Sequence, residues 1–217
     1  MTDQYKTIAK PSRGEFKDRG SKFIAYAFPV YSESEWQEHL EAVKKEHFKA
    51  RHHCYAYRIG LDQNNFRAND DGEPSGTAGR PILGQIDSFG LTNLFIVVVR
   101  YFGGTKLGTS GLINAYKTSA AEALQNGEVI EKTVEDIYAI HFDYALMSEV
   151  MNAVKKMELE IVNQVFEQKG YLEIAIPQSI VEGTLRQLKA YIAKVSTEEI
   201  ELIGEIEGLT FEYLRTL

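Results

Sequence analysis

Cysteine is almost missing from this sequence of 217 residues, which contains only Cys54. One cysteine cannot form a disulfide within the chain, so packing has to stabilise the fold. The composition therefore excludes the small, disulfide-stapled secreted domains and favours a cytoplasmic protein.

Long hydrophobic runs are missing as well. The apolar run Phe95–Val99 is far shorter than the roughly 18–20 residues that a membrane-spanning helix needs. Residues 1–25 carry many charged side chains, which leave no room for the apolar segment of a signal peptide. We therefore expect neither export nor a membrane partner.

The sequence also has no excess of basic residues, since its net charge is −7. Up to Lys132 the chain has 17 Lys and Arg against 16 Asp and Glu, a net of +1; the rest has 7 against 15, a net of −8. Only the first part can approach phosphate without repulsion, and a contact with nucleic acid has to be local and salt-sensitive. The simpler alternative is that the acidic part is a solubilising surface.

The 44% hydrophobic residues are enough for two packed cores. In the first part the patterns predict a helix that begins after the capping residue Ser32, a short helix at Pro81–Phe89 and a helix at Gly111–Asn126. Strands are predicted at Phe23–Val30, His52–Leu61 and Leu94–Phe102, with a turn at 62–65.

The second part follows a different order. Strands are predicted at Asp136–Phe142, Ile161–Glu167, Tyr171–Ile176 and Glu201–Ile206. Helices are predicted at Tyr144–Met157 and from the capping pair at 178–179 to about Ala193. This β-α-β-β-α-β order is typical of ferredoxin-like domains.

A glycine-rich segment follows the buried strand that ends near Phe102. Gly103 and Gly108 have the spacing of a Walker loop, but Thr109 stands where that loop requires lysine, so we predict no nucleoside triphosphatase. Glycine amides, hydroxyls and cations at a helix start suit an anion. The predicted anion-binding residues here are Arg100, Tyr101, Gly103, Gly104, Thr105, Lys106, Gly108, Thr109 and Ser110. The alternative is a tight turn that Thr109 or Ser110 caps.

The predicted strand at 51–58 combines basic and aromatic residues. Its alternation places His53, Tyr55 and Tyr57 on one face, where they can stack bases or pack in the core. Arg51 and Arg58 complete this candidate nucleic-acid surface. Cys54 lies on the other face, about 7 Å along the strand from His52, too far for direct activation as a nucleophile.

The segment 70–79 is too rich in Gly, Asp, Glu and Pro for regular structure. It is predicted as a loop that contributes Asp70, Asp71, Gly72, Glu73, Pro74, Ser75, Gly76 and Thr77 to the same surface. For an enzyme, Asp71, Glu73 and His53 would be the acid–base residues. The carboxylates lack a decisive metal-binding spacing, so we predict neither a metal nor a cofactor.

Segments 51–58, 70–79 and 99–111, taken together and in this order, resemble the Impact family in its bacterial YigZ-type branch. The resemblance implies an α+β protein of two domains, an Impact N-terminal-like domain at 1–130 and a ferredoxin-like domain at 136–217. It implies that the first domain has the ribosomal-protein-S-five domain-two-like fold of elongation factor G domain IV, and that the second is similar to domain V.

Three functions remain open from the sequence. The first is a non-catalytic regulator associated with translation, with RNA or the ribosome as partner, because the implied pair of domains resembles the RNA-facing end of a translation factor. The kinase-linked role of the eukaryotic family members does not carry over. The second is a hydrolase-like enzyme acting on a small phosphorylated or carboxylated substrate at the same surface. The third is a protein-interaction module that contacts a basic protein partner through its acidic part.

Overall fold

The computed structural model describes residues 3–61 and 64–216. They form two compact units: the first unit comprises 5–132, and the second unit comprises 133–216 together with residues 3 and 4. Both units mix helices and sheets, as predicted. Within the described ranges, no helix is long and apolar enough to span a bilayer.

A five-stranded antiparallel sheet forms the centre of the first unit, with strand order β2-β3-β6-β4-β5. Its central strand is β6, whose β-branched residues are all buried. The strands are β2 (Ser12–Asp18), β3 (Ser21–Pro29), β4 (His52–Ile59), β5 (Asn65–Asn69) and β6 (Leu94–Tyr101). A separate two-stranded sheet pairs β1 (Gln4–Ile8) with β7 (Val129–Thr133).

Helices cover both faces of the five-stranded sheet. On one face, α2 (Gly79–Ser88) and α3 (Gly108–Gln125) pack over the small residues Cys54 and Ala56. On the other face, α1 (Glu33–Glu46) contributes Trp36, Leu40 and Val43 to a second cluster. Ser32 caps α1 as predicted, because its hydroxyl accepts the backbone N–H of Glu35.

The second unit has the element order predicted from the sequence up to α5. A four-stranded antiparallel sheet has the order β11-β8-β10-β9. Its strands are β8 (Glu135–Phe142), β9 (Glu160–Phe166), β10 (Gly170–Pro177) and β11 (Leu209–Thr216). Its helices are α4 (Met147–Lys156), α5 (Val181–Ala193) and α6 (Thr197–Ile203).

Several boundaries differ from the prediction. The predicted strand Glu201–Ile206 is wrong, because Ser196 and Glu199 form a capping box that starts α6, and β11 follows it. The strands β1, β2, β5 and β7 have too few alternating apolar residues to be predicted. Residues 62 and 63 of the predicted turn lie outside the described residues.

Candidate functional site

Two of the three segments that resemble the Impact family, 51–58 and 99–111, meet at one end of the first unit's sheet. His52, at the start of β4, lies opposite Arg100 in the ladder, and Lys22, near the start of β3, lies opposite Tyr101. The glycine-rich segment leaves β6 at this end, so it lies beside the β2–β3 turn and the start of β4. The sheet topology therefore brings these segments together.

The loop 70–78 reaches the same end of the sheet. Asp71 accepts two contacts there: its carbonyl oxygen lies 2.8 Å from His52 Nδ1, and its Oδ2 accepts the backbone N–H of His53 at 2.6 Å. Asp71 and Gly72 both have positive φ, at 39° and 84°, which bends the loop against β4. The third segment thus joins the first two.

A buried polar network lies between this loop, the sheet and α3. Arg100 donates to Glu73 Oε1 at 2.6 Å, and the Tyr116 hydroxyl donates to the same oxygen at 2.8 Å. The side chains of Arg100 and Glu73 are only 8% and 4% exposed. Buried charges are stable only when they are paired and hydrogen-bonded, so this pair fixes the loop to the sheet.

Cys54 extends the network without being reactive. Its thiol donates to the carbonyl of Asp70 at 3.0 Å and lies 3.3 Å from the Tyr116 hydroxyl. Burial raises the pKa of Cys54 strongly, and the hydrogen bond to Tyr116 offsets only part of this effect. A thiol held protonated is a poor nucleophile, which agrees with the expectation that Cys54 is not activated for catalysis.

The acid–base residues named for an enzyme are not assembled around an open position. Glu73 is occupied by Arg100 and Tyr116, while the exposed Asp71 lies on the other side of the loop, with Oδ2 3.9 Å from His53 Nδ1. Burial lowers the pKa of His53, and the charge of Asp71 offsets only part of this effect. Among residues 3–61 and 64–216, no group of three or more His, Cys, Asp or Glu is placed to hold a metal ion.

Asp70 has a structural role that the sequence did not identify. Its carboxylate accepts the backbone N–H groups of Gly76, Ala78 and Gly79 at 2.8–3.0 Å. Burial alone raises the pKa of Asp70, but these three N–H donors outweigh it and hold the pKa below its ordinary value. Asp70 therefore closes the loop 70–78 and caps the start of α2.

We expect Asp70→Ala to lower the free energy of unfolding by about 1–2 kcal/mol at pH 7, because it leaves three amides without their acceptor. The folded pKa lies below the unfolded value near 3.9, so the stabilisation is present above that pH and is lost as pH falls through the folded pKa. Urea unfolding at several pH values measures this difference. Asp70→Asn keeps an acceptor and should lose less; a deficit in Asp70→Ala that stays constant down to pH 2.5 would contradict the assignment.

The glycine-rich segment presents its backbone to solvent. Residues 102–106 are exposed, and α3 begins at Gly108 after Leu107, which has no side chain that can cap. The alternative, a tight turn that Thr109 or Ser110 caps, does not hold, because both residues lie inside the first turn of α3. Since no acidic residue occupies that turn, its free N–H groups and the helix dipole favour an anion.

Three exposed cations lie on the segments that meet at this end of the sheet, and we name them the cationic rim: Arg19, Arg51 and Lys106. Arg19 lies at the tip of the β2–β3 turn, where the backbone of its neighbour Gly20 touches Gly103. Arg51 immediately precedes β4, and Lys106 lies in the glycine-rich segment. In the described part of the chain, none of the three forms an ion pair within 4.0 Å.

Several of the predicted surface residues are not available to a ligand at this end of the sheet, and His53 is one of them because it is buried. Tyr55 and Tyr57 stack on Trp36 beneath α1, so they belong to the core and cannot stack bases. Arg58 lies at the far end of β4 and pairs with Asp87. Arg100 is buried against Glu73 and is not available to a ligand.

Sequence reasoning missed two important residues. Arg19 carried a usable signal, because the Arg-Gly pair separates two short segments of mixed polarity. Tyr116 carried none, because its helical spacing indicates only that it faces the core. Its hydroxyl becomes important only through the distant Glu73.

Comparison with known proteins agrees with this geometry. The model of the Impact N-terminal domain matches residues 19–124, which include all three segments. The IMPACT family member YvyE of Bacillus subtilis (strain 168) is 39% identical over 158 residues, which are 73% of this chain and 73% of that protein. The IMPACT family member YigZ of Escherichia coli (strain K12) is 33% identical over 167 residues, or 76% of this chain and 80% of that protein.

A crystal structure described as that of a hypothetical protein is similar along the whole chain. Its TM-score is 0.66 at 27% identity, and the match covers 99% of both chains. The matched domain model and the relatives from Bacillus subtilis and Escherichia coli show that the chain belongs to the Impact family.

Proposed function

We propose that this protein is a non-catalytic regulator associated with translation and that it binds RNA, on its own or within the ribosome, through the cationic rim. The carrying observation is that Arg19, Arg51 and Lys106 lie at one end of the sheet beside the uncapped start of α3. Unpaired cations and free helix amides are the groups that hold phosphate oxygens.

The proposal includes the fold names that the family resemblance implies. The order β-α-β-β-α-α-β and the strand order β11-β8-β10-β9 support a ferredoxin-like second unit with one added helix, similar to domain V of elongation factor G. The antiparallel sheet of the first unit, which helices cover on both faces, supports the resemblance of this unit to domain IV of elongation factor G. This pair of domains is a further reason to connect the protein with translation.

The enzymatic alternative has less support. Its candidate carboxylate Glu73 neutralises Arg100 inside the protein, and the Cys54 thiol is protonated. Of the remaining pair, the Asp71 carboxylate accepts the backbone N–H of His53 and so holds the loop 70–78 against β4. These residues have the contacts of structural groups.

A protein-interaction role has one observation in its favour. The outer strand β9 exposes the apolar side chains of Ile161, Val162, Val165 and Phe166. An apolar edge strand is a common place for strand addition by a partner. This surface lies in the second unit and is compatible with RNA binding by the first.

Cosedimentation with ribosomes across a salt series tests the proposal. We expect the triple variant Arg19→Gln/Arg51→Gln/Lys106→Gln to bind more weakly, and the slope of log K against log salt to become shallower by about one for each lost phosphate contact. The matched control is Lys45→Gln/Lys117→Gln/Lys155→Gln, which removes equal charge from exposed positions elsewhere. Equal losses in both variants, or an unchanged slope in the rim variant, would overturn the proposal.

A further inference from the structure

The helix α1 covers only part of its face of the sheet. It packs against β4 and β6 and reaches β3 at Phe28, whose ring stacks on that of His39. Beyond Tyr26, towards Lys22, the β2–β3 half of the same face carries mainly charged side chains. Strand register places Arg13, Glu15 and Lys17 opposite Tyr26, Ile24 and Lys22 on this half. We name it the open face.

Three cations on the open face converge on one carboxylate. Glu15 lies 3.3 Å from Arg13, 3.3 Å from Lys17 and 3.0 Å from Lys22. The hydrogen bond from Lys22 is the main reason that the pKa of Glu15 is lowered. These four residues carry a net charge of +2, so they attract a further anion even while Glu15 is in place.

An aromatic groove of about 710 Å³ adjoins these cations. The ring of His47 bridges two tyrosines, with Nε2 2.8 Å from the Tyr26 hydroxyl and Nδ1 2.8 Å from the Tyr101 hydroxyl. The guanidinium of Arg13 lies 5.8 Å from the centre of the Tyr26 ring. Glu46 is the acidic residue that lines the groove.

We propose that the open face binds single-stranded RNA, with a phosphate bound among Arg13, Lys17 and Lys22 in the position that Glu15 occupies, and a base against Tyr26. This inference rests on the proposed function and extends the RNA path beyond the cationic rim. Tyr101 immediately follows Arg100 on β6, and Lys22 lies opposite it, so the groove begins at the same end of the sheet as the rim.

The arrangement of charge and rings favours a single strand. Proteins that bind unpaired RNA combine a cationic path for the phosphates with aromatic side chains on which bases stack. In a duplex the bases are already stacked and leave Tyr26 without a partner. A purely cationic surface would bind any polyanion, whereas the ring gives a contact that only a base can make.

On the open face, removal of a positive charge and removal of the negative charge of Glu15 should change the affinity for RNA in opposite directions. With a fluorescent uridine hexamer as the probe, we expect Lys22→Gln or Lys17→Gln to weaken binding about fivefold, and Glu15→Gln to strengthen it about two- to fivefold. Lys17 is 70% exposed, so its substitution leaves the core intact. The control Lys117→Gln, on α3 on the other side of the sheet, should leave the affinity unchanged.

The outcomes separate this inference from the proposed function. A hexamer that carries 4-thiouridine should cross-link to a peptide containing Tyr26. Binding that falls in the rim variant but not in the Lys22 and Lys17 variants overturns the open face and leaves the proposed function standing. Hexamer binding that depends on Lys22 but is unchanged in the rim variant, together with no ribosome cosedimentation, overturns the proposed function alone. Displacement of the hexamer by polyglutamate at equal charge concentration would overturn the assignment to nucleic acid.

Discussion

Replacement of Arg100 by leucine is expected to lower the free energy of unfolding of the first unit by about 3–5 kcal/mol. The substitution leaves the carboxylate of Glu73 buried without its counter-charge, with only the Tyr116 hydroxyl as a donor. The variant also loses the contacts of the Arg100 guanidinium with the rings of Phe23 and Phe102, whose centres each lie 5.5 Å from the guanidinium carbon. Urea unfolding followed by the fluorescence of Trp36, the single tryptophan, measures the loss.

A second substitution shows that the unpaired charge is the cause. We expect Arg100→Leu/Glu73→Leu to recover most of the lost stability, because removal of both buried charges is often neutral. Lys44→Gln, which breaks the exposed pair with Glu41, is the control and should change stability by less than about 1 kcal/mol. A single Arg100 variant as stable as this control would contradict the role assigned to the pair.

The position of Arg100 shows where sequence reasoning succeeded and where it failed. The β-branched run at 94–99 correctly predicted the central strand, because an apolar run of this length is typical of a strand buried on both faces. The sequence pattern could not indicate that Arg100, at the end of this run, is buried as well. Its partner Glu73 lies 27 residues away in a loop, and only the fold brings them together.

The strand β4 shows a similar limit. Alternation correctly placed Tyr55 and Tyr57 on one face and Cys54 and Ala56 on the other. It could not show which face a helix covers, and both faces are covered. The aromatic residues on the open face belong instead to β3 and β6: Tyr101 was among the predicted binding residues, whereas Tyr26 was not.

The prediction of the last strand, at 201–206, was wrong for a local reason. The residues 201–206 include three aliphatic side chains, which suggested a strand, but Ser196 and Glu199 satisfy the amides at the start of a helix. The helix ends before Gly204, whose φ is 71°, and the chain then turns into β11. The stronger signal was therefore the capping box.

Gly103→Ala is the second substitution with a large expected effect. A Cβ at Gly103 would lie 1.8 Å from the carbonyl carbon of Gly20 and 2.2 Å from the backbone nitrogen of Ser21. Backbone atoms cannot move aside as a flexible side chain does, so the β2–β3 turn and the glycine-rich segment have to separate. We expect a loss of about 3 kcal/mol in the free energy of unfolding, the upper part of the usual range for overpacking.

The same separation should weaken RNA binding, because this backbone contact holds the Arg19 side of the cationic rim next to the Lys106 side. Gly84→Ala is the matched control: it adds the same methyl group in α2, where nothing lies within 4 Å, and should leave the protein equally stable or more stable by up to about 1 kcal/mol. Urea unfolding and ribosome cosedimentation of both variants give the two measurements.

If Gly103→Ala loses stability but retains full ribosome binding, the two sides of the rim do not act as one surface. If it loses neither, the close approach of Gly20 and Gly103 is not a constraint on the fold. Because Gly103 itself presents no side chain to a ligand, loss of binding in this variant would report the geometry of the rim and not the removal of a charge.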